Sequence, residues 1–195
     1  MVEIRRLTGR AVAGHIDDLA RLRVQVFRDF PYLYDGGLAY ERDYLNHFMA
    51  SEHSVFVLAL DAGQAVGAAT GLPLADAHAQ FRAPFEAAGR AAQAIFYFGE
   101  SVLDPAWRGQ GLGHRFFDER EAHARELGFH TTAFCAVTRP DNHPLRPRNG
   151  RQLEEFWSGR GYRREPGLHA RFAWKDIDAD AETEKTLQFW SRRLD

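Results

Sequence analysis

A glycine-rich turn between a predicted strand and a predicted helix carries the residues best suited to bind an anion. It reads Arg-Gly-Gln-Gly-Leu-Gly over residues 108–113, after the apolar stretch 94–103 and before the amphipathic stretch 112–127. Aromatic and β-branched runs favour strands, whereas apolar residues at three- and four-residue spacing favour helices. Glycines leave backbone amides open to a ligand, and the positive end of a helix dipole attracts negative charge. The turn is therefore a predicted site for a pyrophosphate.

The glycine spacing distinguishes this turn from the common nucleotide-binding motifs. A phosphate-binding loop needs Gly-Lys-Ser/Thr after its spacer, and the dinucleotide fingerprint needs Gly-x-Gly-x-x-Gly. The sequence instead has Arg108-x-x-Gly111-x-Gly113. This pattern resembles the coenzyme A-binding motif of the GNAT superfamily of N-acyltransferases. The resemblance extends to the Asp-Pro exit of the preceding strand and to a later Phe-Trp-Ser-Gly-Arg-Gly-Tyr segment at 156–162.

The resemblance implies how acetyl-coenzyme A, the expected cosubstrate, would bind. In this family the fourth and fifth strands splay apart, and the amides of pantetheine bond to the backbone of the fourth strand. By position, Ser101, Val102 and Leu103 offer these backbone groups. Gly99 is a candidate bulge or bend residue that opens the gap. The pyrophosphate is expected on the turn, at Arg108, Gly109, Gln110, Gly111, Leu112 and Gly113.

Glu100 is the candidate general base. It interrupts the apolar run 95–103, where burial can raise a carboxyl pKa toward the range suited to proton transfer. Acylation of an amine by a thioester needs an unprotonated nitrogen, so a nearby proton acceptor assists it. An alternative stays open at this point, in which Glu100 pairs with an arginine across the sheet and is structural.

The sequence leaves the proton donor for the departing thiolate undecided. Many GNAT relatives place a tyrosine on the helix before a Gly-aromatic pair, which corresponds here to residues 161–162. Trp157 takes that tyrosine position, and an indole N–H has no useful acidity. The thiolate then leaves unassisted, or takes a proton from water or from His143, Tyr97 or Tyr162.

Two segments are expected to shape the acceptor site. The loop 31–36 lies where relatives bind the acceptor, and its Tyr32, Tyr34 and Asp35 offer aromatic walls and a carboxylate for a cationic amine. The segment 139–151 offers His143 and several arginines for an acidic acceptor or for the coenzyme phosphates. The alternatives are that the first loop caps the core and that the second is a solvated surface loop.

Composition narrows the class of protein. With 195 residues, 45% hydrophobic and 27% charged, the chain is typical of one globular domain. A formal net charge of -2 gives no case for a nucleic-acid partner. The single cysteine, Cys135, excludes an internal disulfide, and its apolar surroundings favour a buried thiol over a nucleophile.

The sequence lacks the motifs that are typical of several other classes of protein. No His-Glu-x-x-His pattern is present, so no metal is expected, and no Gly-x-Ser-x-Gly motif suggests a serine hydrolase. The sequence shows neither an apolar signal region nor a stretch of about 20 apolar residues. We therefore expect a cytoplasmic protein with no membrane partner.

The order of predicted elements is that of the GNAT fold. This implies an α/β (α+β) architecture: a single mixed, mainly antiparallel central sheet with splayed fourth and fifth strands and helices on both faces. Strands are predicted at 2–7, 54–60, 65–74, 94–103, 131–137 and 171–174, and helices at 15–30, 38–50, 77–92, 112–127, 152–158 and 182–193.

The C-terminal region is predicted to complete a single domain spanning residues 1–195. A terminal helix is expected at about 180–193, with Leu187 and Trp190 among its apolar residues. These two side chains either pack on their own domain or contribute to a homodimer interface.

Together, the motif and the resemblance predict an N-acetyltransferase. It would transfer an acetyl group from acetyl-coenzyme A to the primary amine of a small molecule or peptide, by direct attack in a ternary complex. Two alternatives stay open: a non-catalytic sensor that binds acyl-coenzyme A, and an O-acyltransferase.

Overall fold

Seven strands form one sheet in the computed structural model, which describes residues 2–147 and 153–195. The spatial order is β1-β2-β3-β4-β5-β7-β6, and β4 and β5 run parallel while the other neighbours are antiparallel. This agrees with the predicted mixed, mainly antiparallel sheet. The strands are β1 (Glu3–Thr8), β2 (Val55–Asp61), β3 (Gln64–Pro73), β4 (Phe96–Leu103), β5 (Thr131–Val137), β6 (Arg163–Lys175) and β7 (Glu182–Arg193).

Helices cover both faces of the sheet, as predicted. Strand β2 shows this directly, because Phe56 and Leu58 belong to one buried cluster while Val55 and Val57 belong to another. The first cluster packs against α1, α2 and α3, and the second packs against α4 and α5. The helices are α1 (Ile16–Phe27), α2 (Leu38–Ala50), α3 (Ala79–Ala87), α4 (Leu112–Glu126) and α5 (Leu153–Gly159).

Strands β4 and β5 splay apart after a short paired region. They pair at Phe96 with Thr132 and at Tyr97 with Ala133, and beyond these residues the described strands diverge. The edge of β4 that faces β5 is therefore unpaired as far as Leu103, although its other edge stays bonded to β3. This confirms the predicted gap between the fourth and fifth strands.

A β-bulge at Gly99 and Glu100 interrupts the pairing of β4 with β3. Ala69 pairs with Ser101 and Gly71 pairs with Phe98, so both bulge residues lie opposite Thr70. The position requires glycine, because a Cβ atom added at Gly99 would lie 2.4 Å from Thr70 Oγ1. The bulge predicted at Gly99 is thus present, and it reverses the alternation of side chains along the strand.

The prediction of a C-terminal helix at 180–193 is wrong. Residues Glu182–Arg193 form β7, which lies inside the sheet and pairs with β5 on one side and β6 on the other. Tertiary pairing overrides the local pattern here, because β5 needs a partner on the edge away from β4. Leu187 and Trp190 are buried in the chain's own clusters, so they do not form an exposed interface.

Strand β6 is also much longer than predicted. It runs over Arg163–Lys175 rather than 171–174, with a register shift between Arg164 and His169. Pro166 and Gly167 lie within this irregular region and hide its strand character in the sequence.

Candidate active site

The glycine-rich turn presents free amides at the start of α4. Gly109 and Gly111 have φ values of 84° and 79°, which lie in the left-handed region that favours glycine. The carbonyl of Gly111 accepts hydrogen bonds from the amides of His114 and Arg115, at 3.0 and 3.3 Å. Across residues 2–147 and 153–195, the amides of residues 109–113 have no protein acceptor. These free amides indicate an anion site at the positive end of a 15-residue helix.

The side chain of Arg108 joins this turn to the end of β4. Its Nε donates to the carbonyl of Leu103 at 3.3 Å, and its Nη2 lies 3.5 Å from Asp29 Oδ2. The guanidinium is partly exposed, so it can also contact an anion on the turn. Gly113 has room for an added Cβ atom, whose nearest neighbour would be Phe156 at 3.6 Å.

Ser101, Val102 and Leu103 lie along the unpaired edge of β4, as predicted. Their backbone bonds to β3 on one side, at Ala69, Ala68 and Gly67 respectively, and faces the gap on the other. This edge leads directly into the turn. Edge and turn together fit an extended ligand that carries peptide-like amides and a diphosphate.

Glu100 faces α1 and forms part of a buried charge cluster. Its Oε2 lies 2.6 Å from Nη1 of Arg23, and its side chain is 4% exposed. Nε of Arg23 donates to the carboxylate of Glu41 on α2. We call Arg23, Glu41 and Glu100 the carboxylate–arginine cluster. It contains two carboxylates for one guanidinium.

The sequence left open that Glu100 pairs with an arginine across the sheet. Glu100 does pair with an arginine, but this residue, Arg23, lies on helix α1. Burial opposes the charge of Arg23, while the carboxylates of Glu100 and Glu41 raise the pKa of this guanidinium. Neither carboxylate oxygen of Glu100 has a hydrogen-bond partner in the described parts of the chain. Glu100 is thus ion-paired, while both of its oxygens keep free hydrogen-bonding capacity.

The tyrosines considered as proton donors are poor acids in this structure. Tyr97 Oη lies 3.3 Å from Cys135 Sγ, and burial raises the pKa of both groups, that of Cys135 to about 12. Tyr162 Oη lies 2.9 Å from Thr132 Oγ1 and donates to Glu121 at 3.2 Å. Burial also raises the pKa of Tyr162.

Trp157 is held by ring packing and His143 by a local hydrogen bond. Trp157 packs its ring against Phe134 and Trp190, with centroid distances of 5.0 and 5.4 Å. His143 follows β5, where its Nδ1 accepts a hydrogen bond from the amide of Leu145 at 3.2 Å. It is partly exposed.

The aromatic side chains of the loop after α1 have different surroundings. The ring of Tyr32 packs against Phe27 and Trp174, at 4.5 and 5.9 Å between centroids. At this residue the loop caps the core, which is the alternative that the sequence left open. Tyr34 forms a β-bridge with Asp176.

Asp35 is not a free carboxylate for a cationic amine. Lys175 Nζ lies 2.8 Å from its Oδ2 and Arg28 Nη1 lies 3.1 Å from its Oδ1. The hydrogen bond from Lys175, followed by the one from Arg28, lowers the pKa of Asp35. A cationic acceptor would have to displace these partners.

Arg139, one of the arginines predicted to bind a ligand, binds other parts of the protein instead. Arg139 is buried and donates twice to the carboxylate of Asp176, at 2.8 Å each. It also donates to the carbonyls of Pro31 and Tyr32, at 2.8 and 2.7 Å. Arg139 therefore fastens the loop after α1. The segment predicted for ligand contact includes Arg148, which lies outside the described residues.

A cavity of about 230 Å³ lies between α2, α3 and β6. Tyr44 lines this cavity, and its ring centroid lies 4.1 Å from the guanidinium carbon of Arg23. The cavity therefore approaches the carboxylate–arginine cluster through one aromatic ring. Its lining residues are Tyr40, Tyr44, His78, Gln80, Arg171, Phe172 and Ala173.

A sequence model of the acetyltransferase (GNAT) family matches residues 19–147, well over half of the chain. The matched range includes the splayed strands, the bulge and the turn. The chain belongs to the GNAT acetyltransferase family.

Solved structures resemble this GNAT protein over nearly their whole length. An N-acetyltransferase from Staphylococcus aureus Mu50 has a TM-score of 0.64 at 11% identity, with 100% of this chain and 99% of that chain covered. A ribosomal-protein-alanine N-acetyltransferase from Brucella melitensis has a TM-score of 0.63 at 14% identity, with 98% and 99% covered. At these identities the likeness establishes the GNAT fold.

A third structure contains the expected cosubstrate. The Salmonella typhimurium protein yncA, solved with its cofactor acetyl-CoA, has a TM-score of 0.56 at 14% identity, with 100% and 95% covered. The sequence matches none of the curated proteins with which it was compared.

The described part of this GNAT protein lacks two features. None of the described helices has the length and apolar character needed to span a bilayer. Within the described ranges, no three His, Cys, Asp or Glu side chains are grouped as a metal site would require.

Three buried charged residues near the site were not predicted: Arg23, Glu41 and Arg120. A signal for each was present, because each lies four residues from apolar positions that face the core. Arg23 is four residues from both Leu19 and Phe27 on α1. A charge at a core-facing helical position indicates a paired or functional group.

Proposed function

We propose that this GNAT protein is an N-acetyltransferase that transfers an acetyl group from acetyl-CoA to a primary amine by direct attack in a ternary complex. The observation that carries the proposal is the junction of the free amides at residues 109–113 with the unpaired edge of β4. Family membership supports acyl transfer as the class of reaction. The acetyl-CoA in the Salmonella typhimurium structure supports the choice of cosubstrate.

The proposed binding mode uses backbone groups. The amides of residues 109–113 hold the pyrophosphate, and the guanidinium of Arg108 adds positive charge. The backbone of Ser101, Val102 and Leu103 bonds to the pantetheine amides, which act as an added strand in the gap.

In the proposed reaction Glu100 accepts the proton released by the attacking amine. Acetyl-CoA supplies the thioester carbon and the thiol leaving group. As the amine nitrogen bonds to the acetyl carbon, the C–S bond breaks and its electron pair leaves with sulfur. We assign the proton that completes the thiol to water, because burial raises the pKa values of Tyr97, Cys135 and Tyr162.

The proposed acceptor is the amine of a small molecule or peptide. When both Glu41 and Glu100 are ionised, the carboxylate–arginine cluster carries one net negative charge, which favours an approaching ammonium group. The cavity at Tyr44 is the proposed entrance. Tyr34 and His143 remain proposed contacts of the acceptor.

An amine panel tests this function. The purified protein is incubated with acetyl-CoA and with alkylamines, amino acids and short peptides, and released thiol and product mass are measured. We expect acceptor-dependent thiol release and a product with an acetylated nitrogen. Acetyl-CoA binding by calorimetry without thiol release for any acceptor would instead identify a sensor, and acetylated hydroxyl products would identify an O-acyltransferase.

A further inference from the structure

Arg120 is a buried cation on α4 that binds neutral groups. The residue is 1% exposed, and its four hydrogen bonds in the described structure end on carbonyl oxygens or a hydroxyl. Burial lowers the pKa of Arg120 to about 10, so the guanidinium stays charged at neutral pH. A buried charge without a counter-ion is costly, and well-oriented acceptors must compensate for it.

The acceptors of Arg120 surround the β4 bulge. Nη1 donates to the carbonyls of Thr70 and Glu100, at 3.1 and 3.2 Å. Nη2 donates to Ser101 Oγ at 2.8 Å. These three residues are the bulge residue Glu100, its neighbour Ser101 and the residue opposite the bulge.

The rest of the guanidinium is fixed by α4 and by aromatic rings. Nε donates to the carbonyl of Phe116, one helical turn earlier, at 3.1 Å. The guanidinium carbon lies 4.3 Å from the ring centroid of Phe98 and 4.8 Å from that of Phe117. Arg120 thus connects α4 rigidly to the bulge.

The bulge decides where the Glu100 carboxylate points. Phe96 and Phe98 face the α4 side of the sheet, and a regular strand would place Glu100 on that same side. Because of the extra residue, Glu100 instead faces Arg23 on α1. A bulge leaves carbonyl groups without ladder partners, and Arg120 supplies donors to two of them.

We infer that Arg120 is a positioning residue for acyl transfer. By binding the carbonyls of Thr70 and Glu100, it holds the bulge that directs the Glu100 carboxylate toward α1 and away from α4. The kinetic part of this inference rests on the proposed function. The structural part is measurable without activity, as the exchange rate of amides at the bulge.

Three full-length variants test the inference. Arg120→Met removes the donors while keeping an unbranched side chain, and Arg120→Lys keeps the charge but loses the planar fork. Arg192→Met is the matched control, because Arg192 binds Glu121, the next residue on α4, at 3.1 and 3.2 Å and does not contact the bulge. Thermal unfolding shows how much stability each variant loses.

For Arg120→Met we expect the amides of residues 99–102 to exchange about tenfold faster. We also expect kcat to fall by about tenfold or more, because a misplaced Glu100 carboxylate would lose part of the rate that a general base contributes. Acetyl-CoA affinity should fall less than kcat does, because the anion site at residues 108–113 is untouched and only the proposed pantetheine contacts of Ser101 and Val102 are loosened. Arg120→Lys should show the same kcat loss in weaker form. It also serves as the test if Arg120→Met does not fold.

Several outcomes would overturn the inference. One is a folded Arg120 variant with unchanged exchange at residues 99–102 and unchanged kcat. Another is an equal loss of kcat in Arg192→Met at a similar melting temperature, since that result would show a general effect of stability. If the wild-type protein transfers no acyl group, the proposed function fails, and the exchange rates alone then decide whether Arg120 holds the bulge.

Discussion

Arg23 Nη1 and Glu100 Oε2 lie 2.6 Å apart inside this protein without forming a hydrogen bond. The same guanidinium donates through Nε to Glu41. One arginine therefore forms ion pairs with two buried carboxylates. The Glu100 carboxylate is held in place, while its oxygens keep free hydrogen-bonding capacity. In the proposed reaction, this free hydrogen-bonding capacity is what lets the ion-paired Glu100 receive the amine proton.

Glu100→Gln should lower kcat by about 10²- to 10⁴-fold, which is the usual contribution of a general base. The amide has nearly the same shape but cannot accept the amine proton. Acetyl-CoA affinity, measured by calorimetry, should stay within about threefold, because the turn and the edge of β4 bind through backbone groups. Asp118→Asn, which removes a surface partner of Arg160, is the control. Unchanged turnover of Glu100→Gln at every pH would remove Glu100 from the mechanism.

Gly111→Ala should weaken acetyl-CoA binding by about tenfold, equivalent to about 1.4 kcal/mol. The φ of 79° at Gly111 strains any residue with a Cβ atom, and the amides of the turn shift when it relaxes. Gly63→Ala is a close control, because Gly63 has a φ of 85° and, like Gly111, open space around an added Cβ atom. Both variants should lose about 1–2 kcal/mol of unfolding free energy. If Gly63→Ala weakened acetyl-CoA binding in calorimetry as much as Gly111→Ala does, this would contradict an anion site at the turn.

Asp176→Asn should reduce the free energy of unfolding at neutral pH by about 3 kcal/mol, because it leaves buried Arg139 without its carboxylate. Burial opposes ionisation of Asp176, but the hydrogen bonds from Arg139 lower its pKa below the ordinary value. A carboxylate with a lowered folded-state pKa stabilises the protein above its unfolded pKa of about 3.9, and this stability is lost as pH falls through the folded-state pKa.

Urea unfolding at a series of pH values checks this expectation. The gap between wild type and Asp176→Asn should be constant near neutral pH and should shrink in acid below about pH 4. Asp17→Asn, which breaks an exposed pair with Arg42, should have a smaller effect. If the difference in unfolding free energy between the two proteins grew in acid, ionised Asp176 would not be the form that stabilises the fold.

Cys135 should resist alkylation in the folded protein at neutral pH. The side chain is buried, and burial raises the pKa of its thiol to about 12, so very little reactive thiolate forms. Iodoacetamide should modify it quickly only in denaturant, as followed by mass spectrometry. The same measurement after incubation with acetyl-CoA should find no acetyl group on Cys135. A stoichiometric acetyl-cysteine there would replace direct transfer with an acyl-enzyme mechanism.

Local sequence patterns predicted the strand, turn and helix that form the proposed cosubstrate side of the site. The turn at residues 108–113, the strand before it and the helix after it are consecutive in the chain, so their periodicity and glycines are visible together. The bulge at Gly99 was also visible, because a glycine inside an apolar strand marks an irregularity.

Contacts around the proposed acceptor side were predicted less well, because they join distant segments. Asp35 has a partner, Lys175, that lies far along the chain, and no local pattern shows this. Arg139 likewise reaches back to Pro31 and Tyr32. Strand β7 was mistaken for a helix since its partners, β5 and β6, are recognised only once the sheet is assembled.

The position of β7 also affects how the protein is made. It is the last strand in chain order, yet it lies between β5 and β6. During translation both of those strands leave the ribosome before their shared neighbour exists, so each has an open hydrogen-bonding edge for that interval. A nascent chain that stalls before β7 would expose one edge of β5 and both edges of β6, which invites aggregation, and we expect chaperones to act at this stage.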